Sequence, residues 1–192
     1  MVNIAQQIRE SIAVKEALLV HPEVLDALAK VIDAAIALYR RGNKTLLAGN
    51  GGSAADAQHI AAELVGRYMR NRPSIASLAL TTDSSNLTAI GNDFGYDQVF
   101  ARQLEGMGQK GDMFIGISTS GNSANVLNAF EVAKSKGITT VALVGRDGGA
   151  MAKVADYAIV VPSMSTPRIQ EAHIMLGHIF CDAIEEALYK DA

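Results

Sequence analysis

Six small polar residues follow one another between an apolar run at 113–117 and a segment that carries Ala and Val at helical spacing. They are Ser118, Thr119, Ser120, Gly121, Asn122 and Ser123. This order places hydroxyls and free backbone N–H groups at the start of a helix, where the dipole favours an anion. The Lys of a P-loop and the G-x-G-x-x-G spacing of a dinucleotide loop are both missing. The stretch therefore indicates a site for a small phosphate monoester, with an ordinary Ser-capped turn as the alternative.

A second loop of small residues, at 49–53, follows a short apolar segment at 44–48 and precedes a predicted helix at 54–68. Its residues are Gly49, Asn50, Gly51, Gly52 and Ser53. In open parallel sheets, ligands bind beyond the carboxyl ends of the strands. Because both loops follow strands, we expect them to face one crevice and to hold a phosphate together with its sugar.

A histidine and a carboxylate lie four residues apart directly after this second loop. His59 and Glu63 therefore share one face of the predicted helix. Such a pair can supply two metal ligands or a general acid and base. An exposed polar pair on a helix surface is the alternative, although the apolar residues around the pair indicate a mostly buried helix.

The predicted closing helix at 168–188 carries further candidates, Gln170, Glu171, His173 and His178. At about 100° per residue, His173 and His178 point roughly 140° apart, so they should not share a site. His178 has apolar neighbours, and the sequence leaves open whether it is a functional imidazole or a core one.

Two other places hold candidate residues. Asn92 and Asp93 stand in a predicted Gly-flanked loop at 91–95, where they could bind sugar hydroxyls or form an Asx-turn. Cys181 lies in an apolar helix and is interpreted as a packing residue.

The composition sets the class of protein. The 192 residues are 49% hydrophobic and 19% charged, which is typical of a globular domain. A net charge of −3 without a basic run excludes a nucleic-acid surface. One cysteine, no signal-peptide pattern and no apolar run of membrane-spanning length predict a soluble cytoplasmic protein without a membrane partner. The mean hydropathy of +0.16 favours apolar surface buried between subunits.

The predicted elements alternate between strands and helices after two N-terminal helices within residues 1–41. Strands are predicted at 44–48, 75–80, 113–117, 139–144 and 157–161, and helices at 54–68, 83–89, 96–107, 151–154 and 168–188. Continuously apolar strands alternating with helices predict a doubly wound parallel α/β sheet covered on both faces. We expect a single domain over 1–192, with 1–41 packed on the core or on a neighbouring subunit.

Five motifs together resemble the sugar isomerase (SIS) domain family. They read GNGGSAADAQHIAAEL, GNDFGYDQVF, ISTSGNSANV, GRDGG and RIQEAHIMLGHI. Within the family they look like the enzymes that isomerise sedoheptulose 7-phosphate in bacterial heptose synthesis. The resemblance implies a homotetramer with active sites between subunits and an aldose–ketose isomerisation through an enediol.

The resemblance also implies roles for individual residues. The substrate-binding positions fall on Asn50, Gly51, Gly52, Ser53, Glu63, Asn92, Asp93, Ser118, Thr119, Ser120, Ser123 and Gln170. The catalytic positions are Glu63 and His178; we expect Glu63 as base and His178 as acid, and the sequence leaves the reverse assignment open. The zinc positions are His59, Glu63, Gln170 and His178. Pro167 stands where some relatives carry an Asp that reaches the substrate, which affects recognition of the sugar hydroxyls.

Two functions compete with the isomerase. One relative in this family is a tetrameric adaptor of the bacterial replication initiator DnaA, but an adaptor has no need of an acid/base pair beside a phosphate loop. A phosphosugar sensor is the other competing function, but this sequence carries no DNA-binding module that would favour it.

Overall fold

The computed structural model describes residues 2–190, so residues 1, 191 and 192 of the predicted 1–192 domain lie outside the described residues. The helices are α1 (Ile4–Leu19), α2 (Pro22–Arg40), α3 (Gly52–Val65), α4 (Ser84–Phe94), α5 (Val99–Met107), α6 (Ala124–Ser135), α7 (Gly149–Val154) and α8 (Thr166–Tyr189). The strands are β1 (Thr45–Gly49), β2 (Ser77–Ala79), β3 (Met113–Ser118), β4 (Thr139–Gly145) and β5 (Tyr157–Val161). A 3₁₀ turn at Tyr96–Gln98 precedes α5.

The five strands form one parallel sheet in the order β2-β1-β3-β4-β5. The chain moves outward from β1 to β2 and then crosses to β3 on the other side of β1, so the order reverses between β1 and β3. In this doubly wound order a ligand crevice opens at that switch point, beyond the carboxyl ends of the two strands. The predicted fold class is confirmed, and both small-residue loops leave the sheet at this crevice.

Two apolar layers cover the sheet, because successive strand residues point to opposite faces. Leu47 and Ile115 pack with α1, α2, α3 and α8 on one face. Leu46 and Phe114 pack with α5, α6 and α7 on the other. The N-terminal helices therefore lie against the same layer as the two helices that carry His59 and His178. No helix of residues 2–190 combines the length and the apolar character needed to cross a bilayer.

The predicted loop at 91–95 is wrong. Helix α4 starts after Asp83, whose side chain accepts a hydrogen bond from the Asn86 amide at 3.0 Å, and it continues through Asn92 and Asp93. It ends only at Gly95, which has a φ of +86°. Glycine and Asx residues are typical of loops, but their weak helix propensity is tolerated in the last turn of a capped helix.

Candidate active site

The hydroxyl loop lies between the end of β3 and the first turn of α6. The Ser118 and Ser123 hydroxyls lie 2.9 Å apart, and the Gly121 amide donates to Ser118 Oγ at 3.2 Å. Ser123 is the N-cap residue of α6, but its side chain makes no capping hydrogen bond. The loop is therefore more than the ordinary Ser-capped turn that the sequence left open. Its hydroxyls gather at the helix N-terminus, where an anion is favoured.

A cavity of about 130 Å³ opens between the two small-residue loops. Its lining residues are Asn50, Ser53, Ile117, Ser118, Thr119, Ser120, Ser123 and Gln170. Gly51 and Gly52 lie at the exposed rim, next to Ser53. Gln170 reaches the cavity from the first turns of α8 and packs directly on Gly52, where an added Cβ would lie 2.3 Å from Nε2. The structure thus brings both predicted loops and Gln170 into one small polar cavity.

The shape of the hydroxyl loop depends on a close backbone contact with the loop after β4. Gly121 has a φ of +66°, and an added Cβ would lie 2.0 Å from the carbonyl oxygen of Gly148. Met151 donates its amide to the Gly121 carbonyl at 2.9 Å, and Ala150 donates to Asn122 Oδ1 at 3.0 Å. The GRDGG motif therefore packs against the backbone of the hydroxyl loop. The sequence did not predict this role.

The small-residue loop at 49–53 is fixed by a reciprocal pair of side-chain amides. Asn50 Nδ2 donates to Asn125 Oδ1 and Asn125 Nδ2 donates to Asn50 Oδ1, each at 2.9 Å. The Tyr96 hydroxyl adds a third hydrogen bond to Asn50 Oδ1 at 3.0 Å. Sequence reasoning missed Asn125 and Tyr96. The only signal for Asn125 was its place just after the hydroxyl loop, in the first turn of α6.

His59, Glu63 and His178 converge on the outer side of the α3/α8 pair. His59 Nε2 lies 3.1 Å from Glu63 Oε1 and 3.4 Å from His178 Nε2. Their ligand atoms all lie within 4.8 Å of one another. The side chains of His59 and Glu63 are 46% and 24% exposed, so the group is open to solvent on one side.

The spacing of these atoms fits a zinc ion. Tetrahedral zinc with bonds of about 2.0–2.1 Å places its ligand atoms about 3.3 Å apart, close to the two separations found here. Two imidazoles and a carboxylate are also donors that zinc commonly takes in catalytic sites, where a fourth position stays open. The residues present therefore fit the metal that the sequence resemblance implied.

The polar cavity and the His–Glu–His group are separate places in one chain. Gln170 and His178 are eight residues apart on α8, which corresponds to about 12 Å along the helix axis. Gln170 lies at the cavity, whereas His178 lies with His59 and Glu63. One chain thus presents a hydroxyl-lined cavity at the sheet edge and a His–Glu–His group two helical turns away.

Helices α3 and α8 carry two further ionisable groups near the site, Asp56 and His173. Asp56, one turn before His59, has a buried carboxylate oxygen without a hydrogen-bond partner. Desolvation raises the pKa of Asp56 to about 6, against the opposing effect of His59. Sequence reasoning missed this residue, which is a functional-site candidate by its environment. His173 is fully buried away from His178, as the helical angle predicted.

The remaining candidates lie elsewhere. Asn92 and Asp93 are exposed on α4, where Asn92 Nδ2 donates to Asp93 Oδ1 at 2.8 Å. Neither lines the cavity. Cys181 is buried, and desolvation raises the pKa of its thiol to about 12, so it is the inert packing residue that was expected. Pro167 occupies the first turn of α8, where its missing N–H has no cost.

The fold and the site define a doubly wound α/β domain with a hydroxyl-lined polar cavity at its switch point, and comparison with known families agrees. The SIS domain model matches residues 9–145, and the chain belongs to the SIS domain family.

Individual relatives are similar over nearly their whole length. A phosphoheptose isomerase of Sulfurimonas denitrificans is 66% identical over 98% of this chain and 96% of that protein. A phosphoheptose isomerase of Aneurinibacillus thermoaerophilus is 58% identical, covering 98% of this chain and 95% of that protein. Among solved structures, a phosphoheptose isomerase from Neisseria gonorrhoeae matches with a TM-score of 0.89 at 44% identity, covering 95% of this chain and 97% of that one.

Proposed function

We propose that this protein is a phosphoheptose isomerase, which converts sedoheptulose 7-phosphate to D-glycero-D-manno-heptose 7-phosphate for bacterial heptose and lipopolysaccharide precursor synthesis. The observation that carries the proposal is the convergence of Glu63 with His178 in a phosphosugar-binding fold. The relatives named phosphoheptose isomerase, which match over nearly the full chain, support the same activity. No observation on residues 2–190 favours the adaptor of DnaA.

The proposed chemistry divides between the two groups. The hydroxyls of Ser118, Thr119, Ser120 and Ser123 and the helix α6 N-terminus bind the phosphate. The sugar is oriented by Asn50, Gly51, Gly52, Ser53 and Gln170 from the cavity, with Asn92 and Asp93 as outer contacts. Glu63 removes a proton from one carbon, and His178 protonates the carbonyl oxygen, which gives the enediol. Reversal of these transfers at the neighbouring carbon completes the aldose–ketose exchange.

A zinc ion is part of the proposal. His59, Glu63 and His178 would hold it. Gln170 lies about 12 Å along α8 from His178 in the same chain, so its amide oxygen would join these ligands only from another subunit. Bound zinc would polarise the substrate carbonyl. Because a carboxylate that coordinates zinc tightly is a weaker base, the two roles of Glu63 compete, and removal of the metal separates them experimentally.

We further propose a homotetramer with active sites between subunits. The support lies in the distance of about 12 Å along α8 between Gln170 at the cavity and His178 in the acid/base group. The open side of the His–Glu–His group leaves room for the cavity of another chain. In a site that combines the cavity of one subunit with the His–Glu–His group of another, the phosphate of the sugar would lie in the cavity. The reacting carbons at the other end of the sugar would lie at the His–Glu–His group.

The function is tested with the variant Glu63→Gln. We expect turnover of sedoheptulose 7-phosphate to fall by about 10²–10⁴-fold, because a positioned general base is lost. Binding of the sugar phosphate, measured by calorimetry, should persist. Glu105→Gln, an exposed carboxylate on α5, is the matched control and should keep full activity. A wild-type chain that forms no aldose at high enzyme concentration would refute the isomerase and favour the adaptor. Activity that a chelator leaves unchanged would contradict the proposed zinc ion.

A further inference from the structure

The segment that connects α3 to β2 is anchored on one buried carboxylate. Glu185 of α8 accepts hydrogen bonds from three consecutive backbone amides, those of Tyr68 at 3.0 Å and of Met69 and Arg70 at 2.7 Å each. Its side chain is fully buried. Desolvation alone would raise the pKa of Glu185, but these hydrogen bonds and Arg72 outweigh it and hold the pKa below the usual value. The carboxylate therefore stays charged and fixes the segment through its backbone.

Arg72 joins the same anchor to the end of α3. Its Nε donates to Glu185 Oε1 at 2.8 Å, and its guanidinium is fully buried. Its other nitrogens donate to the carbonyls of Leu64 at 2.8 Å and Glu63 at 2.9 Å. These carbonyls belong to the last turn of α3, where they have no partner within the helix. The backbone of Glu63 is thus tied to Glu185 through a single side chain.

The anchored segment places an aromatic ring against His178. The Tyr68 ring stacks on the His178 imidazole with centroids 5.6 Å apart and an interplanar angle of 30°. His59 contacts the same imidazole edge-on, with centroids 4.9 Å apart. Because Glu185 and His178 lie seven residues apart on α8, one helix carries both the imidazole and the anchor that brings Tyr68 to it.

We infer that Glu185 and Arg72 are positioning residues of the isomerase, which act through Tyr68 and the end of α3 to hold His178 and Glu63 in register. This inference rests on the proposed function. A buried ion pair is a poor source of stability, since its desolvation offsets most of its attraction. An ion pair whose other hydrogen bonds all go to the backbone of one loop and one helix end is better explained by the geometry that it enforces.

The sharpest test replaces the pair rather than breaking it. Glu185→Gln alone leaves Arg72 buried without a counter-charge and risks unfolding. The double variant Glu185→Leu/Arg72→Met substitutes apolar side chains, a change that proteins often accept without loss of stability. We expect it to fold, to exchange the amides of residues 68–70 faster, and to lose roughly tenfold to hundredfold in kcat with little change in KM. Glu186→Gln removes the adjacent exposed ion pair with Arg70. It should leave folding, the amide exchange of residues 68–70, kcat and KM unchanged.

Tyr68 supplies a second, independent arm. Tyr68→Phe keeps the ring and should retain kcat, whereas Tyr68→Ala should lose it. In the Glu185→Leu/Arg72→Met background, Tyr68→Ala should add little to the loss, because groups that act through one another are not additive.

The outcomes separate the two proposals. A folded double variant with full kcat, or full additivity with Tyr68→Ala, would overturn the positioning role while leaving the isomerase intact. A wild-type chain without isomerase activity would overturn the proposed function and the positioning role with it, whatever the amide exchange shows. Loss of kcat with faster exchange, in a chain that unfolds at the wild-type temperature, supports the inference.

Discussion

His173 is the most heavily perturbed imidazole among the described residues. Its side chain is fully buried, and neither ring nitrogen has a hydrogen-bond partner. Desolvation lowers the pKa of this imidazole to about 4. The folded chain therefore keeps His173 neutral at pH values where the unfolded chain has already bound a proton.

This difference predicts a loss of stability in acid. As the pH falls from about 6.5 to 4, the unfolded state gains a proton that the folded state refuses, which costs about 3 kcal/mol of unfolding free energy below pH 4. His173→Leu, of similar size and without ring nitrogens, should remove this part of the pH dependence. Denaturant unfolding at pH 7, 5.5 and 4 measures it. His21→Gln at the start of α2 is the control for losing a histidine. Equal pH slopes in wild type and His173→Leu would contradict the assignment.

At the scale of single residues, the sequence predicted candidate side chains for the chemistry but not what surrounds them. The i, i+4 spacing of His59 and Glu63 was enough to put both on one face. The partners of His178, by contrast, come from residues about 110 positions away, such as Tyr68. No local pattern encodes such a contact, so the sequence alone could not predict that His178 lies beside His59 and Tyr68.

At the scale of elements, two loops depend on one glycine. Gly121 combines a φ of +66° with a backbone neighbour, Gly148, that leaves no room for a Cβ. The positive φ and the close backbone contact both occur in the loop that lines the cavity. The loop proposed to bind the phosphate is thus held by a backbone contact and not by its own hydroxyls alone.

Gly121→Ala should therefore damage both fold and binding. We expect a loss of at least about 2 kcal/mol in unfolding free energy, from the left-handed backbone and the overlap with Gly148. Affinity for the sugar phosphate, measured by calorimetry, should fall as well. Gly106→Ala is the matched control, since Gly106 is in α5 with open space around it and should be neutral or slightly stabilised. Wild-type affinity in Gly121→Ala would show that the close contact is dispensable.

The elements themselves were largely predictable. Continuous apolar runs located the five strands, because a strand covered on both faces is apolar at successive positions. The 3.6-residue period of amphipathic helices located most of the helices to within a few residues. The end of α4 was not predictable, because Gly91, Asn92 and Asp93 are all weak helix formers. They nevertheless lie in the last turn of a helix that ends at the Gly95 cap. The contact between Gly121 and Gly148 was also invisible, since it joins loops that follow two different strands.

At the scale of the molecule, α1 leaves an apolar stripe uncovered. Ile4, Ile8 and Ile12 recur at four-residue spacing and are 73%, 57% and 48% exposed. Apolar residues aligned along one helix face are typical of a surface that pairs with another chain. We take this stripe as part of the proposed tetramer contact.

Complementation between two inactive chains tests whether the site is shared. Glu63→Gln lacks the proposed base, and Ser118→Ala/Ser120→Ala lacks two hydroxyls of the proposed phosphate site, so neither homo-oligomer should turn over substrate. If each active site takes its cavity from one chain and its acid/base group from another, random co-assembly leaves about a quarter of the sites intact. Co-expressed chains should then show about a quarter of wild-type activity in the isomerase assay.

The α1 stripe provides the control for this experiment. Ile4→Gln, Ile8→Gln and Ile12→Gln in both chains should prevent co-assembly and abolish the recovered activity, whereas Glu10→Gln, on the other side of α1, should not. Light scattering coupled to size exclusion verifies the assembly in each case. Mixed oligomers that form but stay inactive would place the whole site in one chain. The seven-carbon substrate would then have to span the two helical turns between Gln170 and His178 by itself.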